Sequence, residues 1–423
     1  MERVDAIVLG AGPAGLGAGL ALARAGAAVV VLEAADRPGG LCVTRRRDGF
    51  GYDLGGHIPF VRDEARRVWL ADLLDGDLAW VDRPVASVRD GRVVRGRYLD
   101  QRPAGGAADP APADGSARGE LGGRFGAAFV DRVMRPYLEK IDGVPLERIP
   151  AERARRLLED QAAPDGFWFP GGGIGQLMDA MGAAVRAAGG DLRLGTRATA
   201  IAAPGGRLAG VAAEGPDGRV ELAADALVVS VPAGLAAGLV RPEPPGDATP
   251  PPRMRAVALV YLRLERERVS PEPWIQVDDP RVPFSRAFEP RNWSPRLAPA
   301  GRTVIGLECY CRAAPDDPVW SLDDGALVAA CALSLARPLG WIADGREARP
   351  LDVVRLPRAY PVPDLEQMPI VVAPARRLEA IAGVQLAPGA AVIEAIEAGE
   401  RAARRVLSGN GGPAGGRADG DIL

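Results

Sequence analysis

Lysine and histidine are nearly missing from this 423-residue chain: Lys140 is the only lysine and His57 the only histidine. Four cysteines, Cys42, Cys309, Cys311 and Cys331, form no C-x-x-C pair. Metal and disulfide chemistry are therefore not expected, and the thiols read as reduced cysteines of a cytosolic protein. H-x-x-H, H-E-x-x-H and G-x-S-x-G patterns are all absent, which leaves metal-assisted and serine-hydrolase chemistry without support. A formal net charge of −3 argues against a nucleic-acid-binding protein. No apolar run reaches the roughly 18 residues of a membrane span. A strand starting within four residues of Met1 predicts no secretory leader, so the expected location is cytoplasmic.

What is present alternates between strand and helix patterns. Val4 to Leu9 and Ala28 to Leu32 are short apolar runs of the kind that form buried parallel strands, and small apolar residues with helical character lie between them from Ala14 to Ala25. This is a βαβ unit. Helices are predicted over Phe125 to Lys140, Gln176 to Ala188, Gly325 to Ala336 and Ala391 to Leu407. Strands are predicted over Leu192 to Ile201, Leu208 to Ala213, Ala226 to Pro232, Ala256 to Leu264 and Thr303 to Cys311. Gly105 to Gly119 reads as a flexible loop, Pro242 to Pro252 as a crossing between domains, and the tail from Ser408 as disordered.

Three glycine turns carry the chemistry. Gly10-Ala11-Gly12-Pro13-Ala14-Gly15 fits G-x-G-x-x-G between strand and helix. Such a loop lets a backbone approach a pyrophosphate at a helix N-terminus. Glu33 ends the second strand, where its carboxylate can accept from ribose hydroxyls and repel a 2′-phosphate. Ala34 and Arg37 lead into a second turn, Gly39-Gly40-Leu41, and a short strand around Phe50 to Asp53 into a third, Gly55-Gly56-His57. NAD and FAD both satisfy the first turn. A cofactor served by three successive turns is long, and this favours FAD, held non-covalently because no Cys or His stands in an attachment motif.

"DGFGYDLGGHIPF" at this third turn is similar to the segment leading to the flavin ring in the superfamily of flavin-containing amine oxidases, protoporphyrinogen oxidases, carotenoid desaturases and UDP-galactopyranose mutases. "FVDRVMRPYLEKIDGVPLERIPAE" resembles its central helical segment, with a Lys-x-x-Gly pattern at Lys140 to Gly143. "FWFPGGGIGQLMDAMGAAVRAAGGDLRLGTRATAI", "FSRAFEPRNWSPRLAPAGRTVIGLE" and "RAYPVPD" resemble later segments, so the likeness touches most of the chain. One departure stands near the C-terminus: Gly389 and the following helix are kept, but the superfamily's Gly-Arg turn is not.

The resemblance implies an α/β fold: a Rossmann-like FAD-binding domain from residues 1–75, 167–245 and 366–407, and an inserted mixed α+β substrate domain from 76–166 and 246–365. It places His57 beside the isoalloxazine, where an imidazole could relay a proton. It puts Arg286 and Tyr360 in the substrate domain, and adds Ala198 and Gly389 to the cofactor-binding residues. Lys140 is a further candidate for substrate or flavin contact, because an ammonium differs from guanidinium in shape and pKa. Trp168 and Phe169 read either as walls of a cavity or as core. The function implied is an FAD-dependent oxidoreductase that takes a hydride from a C–N or C–C site of a small organic molecule. Redox-neutral sugar-mutase chemistry and a non-catalytic binding protein are the alternatives.

Overall fold

The computed structural model describes residues 1–101, 114–162, 164–242, 250–389 and 391–409. Four-residue runs with no charged side chain form its innermost strands. Ala6–Leu9, Val29–Leu32 and Ala226–Val229 are the centre of a five-stranded parallel sheet, completed by Asp191–Arg193 on one edge and Val384–Leu386 on the other. Buried on both faces, a strand needs no polar alternation, and all four residues of each central strand are apolar. Ala6 and Val8 point towards the helices Pro13–Arg24, Ile174–Ala187 and Val392–Leu407. Ile7 and Leu9 point the opposite way. There they meet a second five-stranded sheet, built around the antiparallel strands Arg197–Ala202, Gly210–Gly215 and Gly218–Ala223, and the helix Met368–Glu379.

The other body of the molecule is a seven-stranded mixed sheet. Its order is Arg349–Pro361, Met254–Leu264, Thr303–Cys311, Arg286–Phe288, Trp274–Val277, Ala86–Arg89, Arg92–Arg95. Period-two alternation sorts its side chains. Ile305, Leu307 and Cys309 pack against the helix Asp324–Ala336. Val304 and Tyr310 lie on the opposite face, against a helical layer holding Val130, Met134, Tyr137 and Leu138.

Element bounds depart from the sequence reading in several places: the strand expected over Leu192 to Ile201 is two, Asp191–Arg193 and Arg197–Ala202, in different sheets, and the helix expected from Phe125 starts after Gly126. The loop expected to Gly119 ends earlier, because the Ser116 hydroxyl accepts the Gly119 N–H and caps a helix over Ala117–Phe125, as an N-cap serine does. Residues 102–113 and 243–249 of the two expected loops, and 410–423 of the expected tail, lie outside the described residues. Trp168 and Phe169 belong to a strand, Gly166–Pro170, paired with Leu78–Asp82. Trp168 meets Trp80 edge to face, while Phe169 is fully buried against Trp293.

Candidate functional site

The first glycine turn sits at the C-terminal end of the parallel sheet, where open α/β sheets receive ligands. A side chain at Gly15 is impossible: its Cβ would stand 1.9 Å from the Gly10 carbonyl oxygen. At Gly12 the same construction meets nothing within 4 Å. Gly15 is thus required by packing, whereas the space beside Gly12 is open. The helix that starts at Pro13 has no side-chain cap, leaving N-terminal N–H groups for an anion. Glu33 holds the neighbouring turns together, accepting from the Ala11 N–H and the Ala35 N–H at 2.8 Å each. The Gly39 N–H donates to the Ala11 carbonyl, and Gly40 packs over Gly12. Two of the three turns are therefore one contiguous structure. Leu41 is exposed at its edge. Ala34 and Arg37 are also exposed, and Arg37 pairs with Asp36.

The third turn is built against the seven-stranded sheet. Asp53 is buried, accepting from the Thr44 hydroxyl at 2.5 Å and from the Ile174 N–H that opens the helix Ile174–Ala187. Burial pushes its carboxyl up to about 7, against the opposing pull of these hydrogen bonds. The Tyr261 hydroxyl donates to the Asp53 carbonyl at 2.6 Å and receives the Gly55 N–H. Gly55 has φ +91°, a conformation that favours glycine. Gly56 N–H donates to Glu308 Oε1 at 2.9 Å. His57 follows with a buried Nδ1 that has no hydrogen-bond partner. Burial lowers its pKa, partly offset by Glu308, so the imidazole is neutral at pH 7.

Glu308 was not singled out as a site residue in the sequence, yet it is the hub. It is 4% exposed. Its Oε2 accepts from the Tyr310 hydroxyl at 2.9 Å and lies 3.5 Å from Arg286 Nη1. Arg286 is its register partner on the adjacent strand. The Arg286 guanidinium also donates to the Tyr137 and Tyr310 hydroxyls and lies 5.0 Å from the Trp274 ring centre. The available signal was period two along Thr303–Cys311: a carboxylate in a strand otherwise buried throughout.

Two adjoining chambers share Trp274 and Arg286 as walls. The smaller, called inner because it adjoins Gly56, is also bounded by Glu308, Phe288 and Trp293. The larger, the outer chamber, is bounded by Arg83, Arg153, Tyr137, Gln161 and Gln276 among others. Arg286 walls both chambers, whereas His57 follows Gly56 in the chain and lines neither. Tyr360 stacks on Tyr310 with ring centres 6.2 Å apart, but it is 48% exposed and lines neither chamber.

Lys140 also lines neither chamber. Its Nζ donates to the carbonyls of Val277, Asp279 and Phe284 at 3.1, 2.8 and 2.7 Å. All three ammonium protons are committed, the geometry of a structural clamp. Burial draws its pKa down to about 8, but only the ammonium can serve three carbonyls. The Lys-x-x-Gly pattern has a local cause as well. Gly143 is a left-handed C-cap, and Arg255 donates to the Ile141 and Lys140 carbonyls beside it. Ala198 pairs with Ala213 in the second five-stranded sheet. Gly389 lies against Ala395 of the last helix, where a Cβ would meet backbone at 2.4 Å. Among the described residues no cluster of His, Cys, Asp and Glu could hold a metal, and no helix is long and apolar enough to cross a membrane.

Comparison with known proteins defines the class. Residues 8–74 match an NAD(P)-binding Rossmann-like domain, and residues 103–407 match the flavin containing amine oxidoreductase family. The chain belongs to that flavin-containing amine oxidoreductase family. Its fold is α/β and its cofactor is a flavin, and enzymes of this family act on small molecules. It is 37% identical over 114 residues to an all-trans-retinol 13,14-reductase of Danio rerio, a match covering 24% of this chain and 19% of that protein. The chain thus spans about a fifth of the length of this curated relative. In fold it is similar to a reduced UDP-galactopyranose mutase, with TM-score 0.73 and 19% identity over 99% of this chain and 97% of the other. A putrescine oxidase bound to putrescine has TM-score 0.66 and 17% identity, over 96% and 99% of the two chains.

Proposed function

We propose that the protein removes a hydride from a C–N or C–C site of a small organic molecule, as an oxidase, dehydrogenase or desaturase, at the turn Gly55–His57. FAD would be held by Gly10–Gly15, Glu33, Gly39–Leu41 and Gly55–His57. The open space at Gly12, the uncapped helix and the unpartnered His57 Nδ1 fit such a group. When bound, the flavin supplies the hydride acceptor.

The chain's own residues supply orientation and electrostatics. Glu308 fixes the Gly56 N–H, and so the turn, relative to the chamber. Neutral His57 can take or pass a proton at its free Nδ1. Trp274, Phe288 and Trp293 give the inner chamber apolar walls. The observation that carries this reading is the shared position of Gly56, Glu308 and Arg286 around that chamber.

His57→Ala tests it. FAD content and melting temperature should stay close to parental, while the flavin reduction rate by a turned-over substrate falls at least about tenfold. An unchanged rate at saturating substrate removes His57 from the chemistry. Turnover that requires prior reduction and consumes no electron acceptor would replace the proposal with redox-neutral chemistry.

A further inference from the structure

We propose that the substrate is an oxyanion, a flat apolar skeleton bearing a carboxylate or phosphate, and that the outer chamber holds the anionic group. The inference rests on the preceding reading that the reaction occurs at the Gly55–His57 turn, and it names the substrate class of that site.

The charged side chains lining the outer chamber are all cationic: Arg83, Arg153 and Arg286. The carboxylates paired with Arg286 and Arg153 do not line it. Glu308 lies in the inner chamber, 3.5 Å from Arg286, and Asp142 is 5% exposed and 3.2 Å from Arg153. Two donors are uncommitted. The Trp274 Nε1–H is buried without a partner, in a side chain shared by both chambers. Arg286 uses Nε for Tyr137 and Nη1 for Tyr310 and Glu308, so Nη2 remains. The buried Trp274 donor left unmade costs free energy, and an anion would satisfy it while also accepting from Arg286 Nη2. A cationic amine would meet three guanidinium groups and no lining carboxylate, with only neutral acceptors such as Gln276 to receive its protons.

The skeleton is set by the inner chamber. Phe288 and Trp293 are stacked with ring centres 5.3 Å apart, and Trp274 closes another side beneath the Arg286 guanidinium. Such walls favour a flat unsaturated or aromatic group. An anion in the outer chamber would then hold that group against Gly56.

The test uses purified holoprotein and four probes: 4-phenylbutyrate, phenyl phosphate, 4-phenylbutylamine and 4-phenylbutanol. Binding is read by perturbation of the visible flavin spectrum and, independently, by thermal shift. At least one oxyanion should bind roughly tenfold or more tightly than the amine and alcohol, and the stronger of the two identifies carboxylate or phosphate. Arg286→Met, still loaded with FAD, should lose this preference. The comparison on the parental protein decides even if the variant does not fold. An amine binding as tightly as its acid, or binding by neither oxyanion at millimolar concentration, overturns the proposal. Loss of FAD or of flavin reduction speaks instead against the underlying reading, because anion binding is scored without turnover.

Discussion

Glu308 accepts the Gly56 N–H at 2.9 Å and ties the strand Thr303–Cys311 of the seven-stranded sheet to the third glycine turn. Its second oxygen reaches Tyr310 and faces Arg286, so one carboxylate couples the turn to both chambers. Glu308→Gln keeps an acceptor but removes the charge. The expected result is retained FAD and a flavin midpoint potential shifted upward, since a negative charge beside the turn disfavours added electrons. Glu308→Ala also leaves Arg286 without its carboxylate, at a cost of about 3–5 kcal/mol. A potential unchanged in Glu308→Gln would place the flavin beyond this carboxylate's reach.

Gly12 and Gly15 should separate cofactor binding from folding. Gly12→Val adds a side chain in open space, so the unfolding midpoint of the apoprotein should stay parental while FAD is lost. Gly15→Ala drives a methyl into the Gly10 carbonyl and should lower that midpoint. Equal destabilisation by both substitutions would contradict this division.

Lys140 should matter to the sheet and not to the flavin. Lys140→Met leaves three buried carbonyls without their donor, each worth about 1–3 kcal/mol. Lys140→Arg is no rescue, because a planar fork cannot point three N–H groups at the positions of one ammonium. Both variants should show lower urea midpoints with FAD still bound. A parental midpoint for Lys140→Arg would show that the clamp is dispensable.

Asp53 gives stability a definite pH dependence. Its folded pKa, pushed up to about 7, lies above its ordinary value of 3.8. The native state therefore binds more protons between those values, and the contribution of this group is lost as pH rises through about 7. Asp53→Asn removes that contribution. Melting temperatures measured from pH 5 to pH 8 should fall less steeply with pH in the variant than in the parent. Parallel curves would show that Asp53 is already ionised at pH 5.

Local patterns carried much of the fold. Apolar runs such as Val29–Leu32 and the G-x-G-x-x-G turn are short-range signals, and they mark the parallel sheet and the approach to its cofactor. Thr303–Cys311 was read with its bounds as observed. The role of Glu308 was not legible, because it depends on register with Arg286 and on a contact with Gly56, 252 positions away. Lys140 was noticed for its rarity, but its three acceptors lie 137 to 144 positions along the chain. Composition can flag such a residue and cannot show what it holds. Tyr360 looked like a site residue by resemblance, yet it lies outside both chambers behind Tyr310.

The central claim is that a small molecule gives up a hydride at the Gly55–His57 turn. The most direct measurement is an anaerobic titration of the oxidised holoprotein with the oxyanions that bind it and their more saturated analogues. The visible absorption of the oxidised flavin is followed while the organic product is identified. The account expects bleaching at one equivalent of substrate, a product lacking two hydrogens, and return of the absorption on adding an acceptor. Turnover of a bound compound with the flavin spectrum unmoved, and with a product isomeric to the substrate, would contradict it.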